Sequence, residues 1–184
     1  MPDIDIRTDW RGLAAPPAEH VAIALGRANS RVIVEVDAPF HGDPPPPAPP
    51  GPTWELWEHE VVELFIAGPG DHYLELELSP HGHHLFLRLR GVRTIVERDL
   101  PLRFAATIHG RRWSGRAELD AGLLPAGPHR INATAIHGRH PRRYLSWLPL
   151  PGSTPDFHQL DAFRPARLDT APIAPGSPDR SAAP

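Results

Sequence analysis

Apolar and polar residues alternate over residues 73–78 and again over residues 84–90, on either side of a short Pro-His-Gly segment. A period of two predicts β-strands, because successive side chains of a strand point to opposite faces. The intervening proline and glycine favour a turn, so the two strands are predicted to form a hairpin. Leucines at every second position give this hairpin one apolar face. Its other face is predicted to carry Tyr73, Glu75 and Glu77 from the first strand and His84, Phe86, Arg88 and Arg90 from the second.

Most of the remaining chain also has the composition of β-strands. Residues 31–37 are rich in β-branched side chains, and residues 61–66 are mostly apolar, which is typical of a central strand. Glycine, proline and asparagine separate the segments at the spacing of a sandwich or jelly roll, so the pattern predicts an all-β fold. One helix is expected over residues 18–29, where Val21, Leu25 and Ala28 share a face. Further strands are expected at residues 94–99, 102–109, 112–119, 130–137 and 144–148.

Two proline-rich stretches interrupt this pattern. Residues 43–52 include four consecutive prolines, which lack the N–H needed to pair in a sheet, so we expect a surface loop. Residues 165–184 are rich in proline, alanine, serine and aspartate and have too little apolar content to pack. The 184 residues are enough for one sandwich with a real core. We therefore predict a single domain over residues 1–164, followed by a flexible tail over residues 165–184.

The composition excludes several classes of function. The sequence has no cysteine, which excludes disulfides, cysteine-ligated zinc and iron–sulfur centres, and its net charge of -3 gives no electrostatic footprint for nucleic acid. The N-terminus lacks the features of a signal peptide, and no apolar run approaches the roughly 20 residues of a membrane span. We therefore expect a cytoplasmic protein without a nucleic-acid or membrane partner. All 19 basic residues are arginine, a bias that indicates a GC-rich, bacterial coding sequence.

The polar face of the hairpin supports more than one interpretation. Opposite charges on neighbouring strands stabilise a solvated face by about 0.2–1 kcal/mol per pair, and this requires no ligand. The same side chains suit a ligand platform, because arginine and carboxylate groups hydrogen-bond sugar hydroxyls while Tyr73 or Phe86 offers a flat apolar surface. A row of arginines could instead clamp a carboxylate or phosphate group, whose geometry matches the guanidinium fork. The sequence leaves these alternatives open.

Two tryptophans, Trp54 and Trp57, stand between the proline-rich loop and an acidic strand. Exposed aromatic rings beside a loop are typical of proteins that bind the apolar face of a sugar ring. Packing in the core is the alternative for any tryptophan, and it is our expectation for Trp113 and Trp147. Trp54 and Trp57 are therefore the candidates for ligand contact, since their neighbours are loop and acidic residues.

Three glutamates, Glu58, Glu60 and Glu63, indicate two kinds of chemistry. A carboxylate pair roughly 5–9.5 Å apart serves glycoside hydrolysis, and clustered carboxylates bind Ca²⁺. Glu60 and Glu63 fall on opposite sides of an ideal strand, which argues against both hypotheses. The 12 histidines lack the regular spacing of a transition-metal site, including those around His81 in the hairpin turn. The sequence also lacks a phosphate-binding glycine loop, a nucleophile elbow and a dinucleotide fingerprint.

Two consecutive motifs resemble those of the DOMON-like superfamily and, within it, of the family 9 carbohydrate-binding modules. They are Trp57-Glu-His-Glu-Val-Val-Glu-Leu-Phe65 and Tyr73-Leu-Glu-Leu-Glu-Leu-Ser-Pro-His-Gly82. A closer resemblance is to a family of small, stand-alone proteins found from bacteria to animals. That family shares both motifs and also Ala135-Ile-His-Gly138 and Pro155-Asp-Phe-His158. The resemblance covers most of residues 54–163.

This resemblance implies an antiparallel two-sheet β-sandwich of the jelly-roll type. It also implies that the protein is similar to modules that clamp the end of a glycan between two tryptophans and carry structural calcium. Trp57 matches the position before the acidic strand of those modules, and Glu60 and Glu63 match their acidic positions. Other DOMON-like domains bind haem b through methionine and histidine, but Met1 is the only methionine in this sequence, so that ligation is missing.

The residues and the resemblance together favour a non-catalytic β-sandwich that binds a small molecule or a carbohydrate. Aromatic rings would stack on the ligand, and charged groups would fix its orientation. One alternative is an enzyme that acts on a sugar-like molecule through Glu60 or Glu63 and a histidine, and another is a protein-interaction domain. No cofactor is expected, Ca²⁺ is the candidate metal, and the oligomeric state is left open. The predicted ligand-binding residues are Trp54, Trp57, Glu60, Glu63, Tyr73, Glu75, Glu77, Arg88, Arg90, His81, His137 and His158.

Overall fold

Two antiparallel β-sheets pack face to face around an apolar core in the computed structural model, which describes residues 3–168. Within this range the helices are 3-10 turns of three residues each, and none has the length or apolarity needed to cross a membrane. The prediction of an all-β protein with two antiparallel sheets is therefore confirmed. The 3-10 turns span Pro17–Glu19, Leu56–Glu58, Ala121–Leu123 and Leu160–Ala162.

Five strands form the first sheet. Numbered in chain order over the whole molecule, they are β1 (Asp3–Ile6), β3 (Val21–Ala28), β4 (Arg31–Pro39), β9 (Arg103–His109) and β10 (Arg112–Asp120). Their spatial order is β1-β3-β4-β10-β9, so β4 is the central strand. Alternate residues of β4, which are Val32, Val34 and Val36, are buried in the core between the sheets.

Eight strands form the second sheet, which carries the candidate site. They are β2 (Thr8–Asp9), β5 (Val61–Ala67), β6 (His72–Leu78), β7 (His84–Arg90), β8 (Ile95–Glu97), β11 (His129–His137), β12 (Arg143–Ser146) and β13 (Arg164–Ala166). Their spatial order is β2-β12-β11-β5-β6-β7-β8, and β13 pairs with the start of β11. As predicted for residues 61–66, β5 is a central strand with a hydrogen-bonded neighbour on each side.

The core between the sheets is built from side chains that alternate along each strand. On β6, Leu74, Leu76 and Leu78 are almost fully buried and point toward the first sheet. Trp113 of β10 lies in the same core and is 1% exposed, so its predicted place in the core is confirmed. Burying a large apolar side chain contributes about 1.5–3 kcal/mol. The many such residues here make the interface between the sheets the main source of stability.

The outer face of the second sheet, which points away from the first sheet, is covered as well. Two segments pass over it, residues 54–60 and residues 150–163, and we call them the cover. Leu56 and Phe157 of the cover belong to the same buried apolar cluster as Phe65 of β5. Because both faces of β5 are covered, all seven of its residues are buried. This arrangement explains why the strand reads as a nearly continuous apolar run.

The helix predicted over residues 18–29 is wrong, because Val21–Ala28 form β3. Val21, Ile23 and Leu25 are buried while Ala22 is exposed, so the side chains follow a period of two. Spacings of three and four residues among the apolar positions also fit a helix, and the sequence alone does not separate the two. Pairing with β1 on one side and β4 on the other decides the outcome.

The predicted hairpin is present as β6 and β7, but its two faces are composed differently from the prediction. Each pair in its register joins two odd-numbered or two even-numbered residues, as in Glu75 with Leu87 and Glu77 with Leu85. Directly paired residues share a face. The glutamates therefore lie beside leucines on the outer face. The prediction that His84, Phe86, Arg88 and Arg90 share the face of the glutamates is wrong. The connection over residues 79–83 aligns the strands so that the odd-numbered residues of β7, not the even-numbered ones, lie on the face of the glutamates.

The sandwich extends past the predicted end of the domain at residue 164. β13 pairs with β11 through Ala166, and Leu168 is buried in the core between the sheets. The first residues of the predicted tail therefore belong to the fold. Residues 169–184 lie outside the described residues. In the proline-rich stretch, residues 43–51 form no strand.

Candidate functional site

A cavity of about 380 Å³ lies on the outer face of the second sheet, next to the cover. β5, β6 and β7 supply its floor, and the cover supplies much of its wall. Most of the lining is apolar or aromatic, and few residues in it are charged. The lining residues are Trp57, Glu63, Glu75, Leu87, Leu89, Arg93, Ile95, Ile136, Tyr144, Pro155, Phe157 and His158.

Three buried glutamates meet at the floor of this cavity. Glu63 on β5 pairs directly with Glu77 on β6, and Glu75 lies two residues from Glu77 on the same face. One carboxylate oxygen of each glutamate lies within 4.8 Å of the corresponding oxygens of the other two. The exposed fraction is 2% for Glu63, 5% for Glu75 and 0% for Glu77. We call these three residues the carboxylate cluster.

Burial raises the pKa of every member of the carboxylate cluster. The pKa of Glu63 rises to about 7, although a hydrogen bond from Thr134 and the positive charge of Arg142 oppose the shift. The pKa values of Glu75 and Glu77 lie well above the usual range because burial is reinforced by neighbouring carboxylates. Removing water and crowding like charges both disfavour the ionised form, so the cluster favours the binding of protons or of another positive charge.

Hydrogen bonds to the cluster are unequally distributed. Glu63 accepts a hydrogen bond from the hydroxyl of Thr134 on β11. Neither oxygen of Glu77 has a hydrogen-bond partner within residues 3–168, although the main-chain N–H of Trp57 is near enough to lower its pKa slightly. Buried polar atoms in native proteins nearly always have a partner. Glu77 therefore carries unused capacity to interact with a bound group.

Tyr73 and His158 form a hydrogen-bonded pair beside Glu75. The hydroxyl of Tyr73 accepts a hydrogen bond from the main-chain N–H of Arg93 at 3.1 Å and lies 2.8 Å from Nδ1 of His158. The buried hydroxyl proton of Tyr73 needs an acceptor, and Nδ1 of His158 lies within hydrogen-bond distance of it, so we assign the hydroxyl as the donor to Nδ1. In the neutral ring the proton of His158 is then on Nε2, which lies 3.9 Å from Oε1 of Glu75.

Burial keeps this pair in its neutral form. It lowers the pKa of His158 to about 4, and the charge of Arg93 lowers that pKa further. Burial also raises the pKa of the Tyr73 hydroxyl to about 12. Asp156 holds the arrangement by accepting hydrogen bonds from the guanidinium of Arg93 at 2.8 Å and from the main-chain N–H of His158 at 3.1 Å. A neutral N–H is thus directed toward Glu75 from the wall of the cavity.

The two tryptophans predicted to contact ligand occupy different places. Trp57 lines the cavity, whereas Trp54 lies in a shallow groove outside it and is 44% exposed. Their rings meet edge to face with centroids 4.9 Å apart. The guanidinium of Arg98 lies 4.9 Å from the centre of the Trp54 ring. Ile95 lines both the groove and the cavity, so the exposed aromatic surface continues into the cavity.

Arg142 joins the cover to the second sheet. Its guanidinium donates to the carbonyl oxygens of Trp57, His59 and Gly138, the last two at 3.3 Å. These partners are neutral, so they leave the positive charge of Arg142 uncompensated. That charge acts on Glu63, where it favours the ionised carboxylate. Arg142 therefore both positions the Trp57 turn and places a positive charge near the carboxylate cluster.

Three of the predicted charged residues lie away from the cavity. Arg88 pairs with Glu97 at 2.7 Å, and Arg90 is an exposed residue 3.9 Å from Asp71. Glu60 accepts hydrogen bonds from the main-chain N–H groups of His41 and Asp43, at 2.9 and 3.2 Å, and anchors the start of the proline-rich loop. Burial raises the pKa of Glu60 to about 7 in spite of those bonds. The structure therefore separates Glu60 from Glu63, as their spacing on a strand predicts.

Two of the predicted histidines also lie elsewhere. The ring of His137 stacks on His41 with centroids 3.5 Å apart, and its Nε2 lies 3.9 Å from Glu19. Burial lowers the pKa of His137 to about 4, and the neighbouring His41 lowers it further. His81 packs edge-on against Phe40 with centroids 5.5 Å apart. The predicted residues that meet at the cavity are Trp57, Glu63, Tyr73, Glu75, Glu77 and His158.

Besides the apolar and aromatic lining residues, four polar or charged residues at or beside the site were not among the predicted ligand-binding residues. Thr134 is a buried polar residue of β11, where it pairs directly with Glu63. Asp156 lies in the Pro155-Asp-Phe-His158 segment and precedes two residues that line the cavity. Arg93 and Arg142 lie in irregular segments, where no periodicity indicates the direction of a side chain.

The fold is similar to that of solved carbohydrate-binding-type structures. A candidate carbohydrate-binding protein from Bacteroides uniformis has a TM-score of 0.67 at 15% identity, over 89% of this chain and 83% of that chain. A family 9 carbohydrate-binding module from Caldicellulosiruptor kristjanssonii, in complex with cellotriose, has a TM-score of 0.59 at 11% identity, over 94% of this chain and 88% of that chain. At these identities the likeness establishes the fold, which is a sandwich of the family 9 module type.

No family model matches the sequence, but whole-length relatives do. The UPF0462 protein C4orf33 homolog of Mus musculus is 39% identical over 180 residues, which are 91% of this chain and 92% of that protein. The Danio rerio homolog is also 39% identical, and the human UPF0462 protein C4orf33 is 37% identical, each over 91% of this chain and about nine-tenths of its own length. These relatives are vertebrate proteins, which conflicts in part with the bacterial origin that the composition indicates. The chain belongs to the UPF0462 family of C4orf33 and its homologues.

Proposed function

We propose that this protein binds a small carbohydrate in the cavity on the outer face of the second sheet. Its volume of about 380 Å³ falls at the small end of the range of about 300–1,000 Å³ that is typical of ligand sites. An apolar and aromatic wall with a few convergent polar groups is also typical of such sites. The carbohydrate-binding descriptions of the two structural neighbours support this choice of ligand class.

The observation that carries the proposal is the position of buried polar groups at the end of an apolar-walled cavity. The carboxylate oxygens of Glu63 and Glu75 and the neutral Nε2–H of His158 face one space. A sugar hydroxyl both donates and accepts, so it can satisfy a carboxylate and an imidazole N–H together. The rings of Trp57 and Tyr144 on the wall are available to the apolar C–H face of the same sugar.

Titration calorimetry against a panel of mono- and disaccharides tests this proposal. We expect at least one sugar to bind with a stoichiometry of one, and Trp57→Ala to weaken that binding at least about tenfold, as for other buried aromatic anchors. Arg90→Ala is the matched control, because this predicted residue lies on the opposite face of the hairpin. Circular dichroism checks that both variants fold. Equal affinity of Trp57→Ala and wild type for every sugar that binds contradicts the proposal.

A second candidate function is acid–base catalysis on a sugar-like molecule. The observation that favours it is the chain of groups formed by Glu75, His158 and Tyr73, in which burial raises the pKa of a carboxyl and lowers that of an imidazole. Glu60 has no part in this candidate because it lies away from the cavity. Product analysis by NMR after incubation with the same sugars detects turnover. Turnover that persists in Glu75→Gln excludes these residues as its source.

A further inference from the structure

We propose that the carboxylate cluster of Glu63, Glu75 and Glu77 is a binding site for a divalent cation, Ca²⁺, at the floor of the cavity. This proposal goes beyond the proposed function, because it requires no sugar. The unpartnered side chain of Glu77 supports it independently of the clustering. That residue is 0% exposed, yet neither of its carboxylate oxygens has a hydrogen-bond partner within the described part of the chain.

The spacing of the oxygens fits an ion held between them. Ca²⁺ binds carboxylate oxygens at about 2.3–2.6 Å, so two oxygens on opposite sides of one ion lie up to about 4.6–5.2 Å apart. One oxygen from each of the three glutamates lies within 4.8 Å of the others. An ion among three oxygens at these separations lies within about 2.8 Å of each, so small side-chain adjustments bring all three into contact without a change in the strands that carry them. Mg²⁺ requires shorter bonds and a nearly ideal octahedron, so the looser demands of Ca²⁺ suit this set better.

The charges balance when the ion is present. Three ionised carboxylates carry three negative charges, and Arg142, whose hydrogen bonds all go to carbonyl oxygens, supplies one positive charge nearby. A divalent ion supplies the other two. Without it, three ionised carboxylates on these two adjacent strands would repel one another and lack solvation, which is costly in an interior of low dielectric constant.

The cavity gives the ion access and further ligands. Glu63 and Glu75 line the cavity, while Glu77 is fully buried next to Glu63 and is not part of the lining. Ca²⁺ takes six to eight oxygen ligands, which is more than three carboxylates supply when each binds through one oxygen. Water or the hydroxyl groups of a ligand in the cavity complete the coordination. The donor set consists of oxygen atoms alone, which favours a hard cation over zinc or copper.

A titration with Ca²⁺ alone tests the site. Protein treated with EDTA and dialysed is titrated in a calorimeter, and its melting temperature is measured with and without CaCl₂. We expect one ion per chain, and a rise in melting temperature of about 5–10 °C at a hundredfold excess over Kd. Tb³⁺, which replaces Ca²⁺ in oxygen sites, should emit when tryptophan is excited, because Trp57 lines the same cavity.

Two nearly isosteric variants locate the site. Glu77→Gln should weaken Ca²⁺ binding at least about tenfold and abolish the shift in melting temperature, while Glu58→Gln, at an exposed position, should leave both unchanged. Glu75→Gln serves as a second test if Glu77→Gln fails to fold in EDTA. No binding of Ca²⁺ by wild type, a response of both cluster variants equal to that of wild type, or tighter binding of Mg²⁺ than of Ca²⁺ overturns the proposal.

This test is separate from the test of the proposed function. The titrations contain no sugar, so their failure leaves sugar binding unaffected. A sugar that binds equally in EDTA and in CaCl₂, in a protein that gives no heat with Ca²⁺, overturns the cation site alone. Binding of Ca²⁺ without binding of any sugar in the panel supports the cation site and contradicts the proposed function.

Discussion

Replacing Glu77 by methionine should stabilise the protein when divalent cations are removed. Glu77 is fully buried between Glu63 on one neighbouring strand and Leu85 on the other, and its carboxylate oxygens have no hydrogen-bond partner among residues 3–168. Methionine has a similar length and no group that needs solvation, and its flexibility lets it fill an irregular space. The substitution therefore removes a buried polar group without leaving a large cavity.

The expected gain in the free energy of unfolding follows from the burial of the Glu77 carboxyl group without a hydrogen-bond partner. A buried polar group without a partner costs about 1–3 kcal/mol, and replacing buried charged groups by apolar ones of similar volume stabilises by about 1–4 kcal/mol in some proteins. We take about 2 kcal/mol for Glu77→Met. With a urea dependence of about 2 kcal/mol/M, the unfolding midpoint rises by about 1 M. The melting temperature should rise by about 4–8 °C for a chain of this length.

Urea unfolding in EDTA, followed by tryptophan fluorescence, measures this change. Glu58→Met is the control, because Glu58 is exposed and its substitution should change the free energy of unfolding by less than about 0.5 kcal/mol. In excess CaCl₂ the order should reverse, since wild type gains the binding energy of the ion and Glu77→Met does not. A lower midpoint for Glu77→Met than for wild type in EDTA refutes the reasoning, because the carboxyl group would then be stabilising the fold by itself.

Three further predictions concern His137, Glu60 and Tyr73. In the folded protein the pKa of His137 is about 4, below its ordinary value of 6.5. Between these two pH values the unfolded chain binds a proton at His137 that the folded chain does not. The neutral, buried ring therefore contributes fully to stability above about pH 6.5, and this contribution is lost as the pH falls toward 4. Urea titrations at pH 4.5 and 7.5 should therefore show a smaller acid loss for His137→Gln than for wild type, and equal losses contradict the assignment. Glu60→Ala leaves two main-chain N–H groups without their acceptor and should lower the free energy of unfolding by about 1–3 kcal/mol, whereas a change below about 0.5 kcal/mol in urea unfolding contradicts its anchoring role. Tyr73→Phe should lower it by about 1–2 kcal/mol and shift the NMR signal of His158 Nδ1, and an unchanged signal means that the hydroxyl does not donate to that atom.

Period-two alternation predicts the strands well because most of them bury only one face. The bounds of β7 are as predicted, and those of β5, β6 and β10 differ by one residue at one end. The same logic places Tyr73, Glu75 and Glu77 on one face. It also misassigns residues 18–29, since apolar spacings of four and three residues fit a helix as well as a strand. There the pairing of β3 with β1 and β4 decides the outcome, and the spacing of apolar residues within the segment does not reveal that pairing.

The composition of the site is less predictable than its strands. Glu63 joins the glutamates of β6 because β5 pairs with β6 in a register that places it opposite Glu77. Arg88 and Arg90 lie outside the site for a similar reason. The connection between β6 and β7 sets whether the odd-numbered or the even-numbered residues of β7 face the cavity, and the odd-numbered residues do. Arg142 enters from a loop after β11, where neither periodicity nor composition indicates where a side chain points. Periodicity predicts which residues of one strand share a face, whereas the pairing register decides which residues of neighbouring strands lie together on that face.

The cavity has a floor made of paired strands and a wall made largely of the irregular cover. The two parts can therefore diverge separately over evolutionary time. Changes at wall positions such as Trp57 or Phe157 alter the shape that a ligand must have, without disturbing the main-chain ladder that positions the glutamates. Changes on β5 or β6 alter how a ligand is held and also affect the packing of the sheet. Members of one family can thus keep the same polar floor while they select different ligands through the cover.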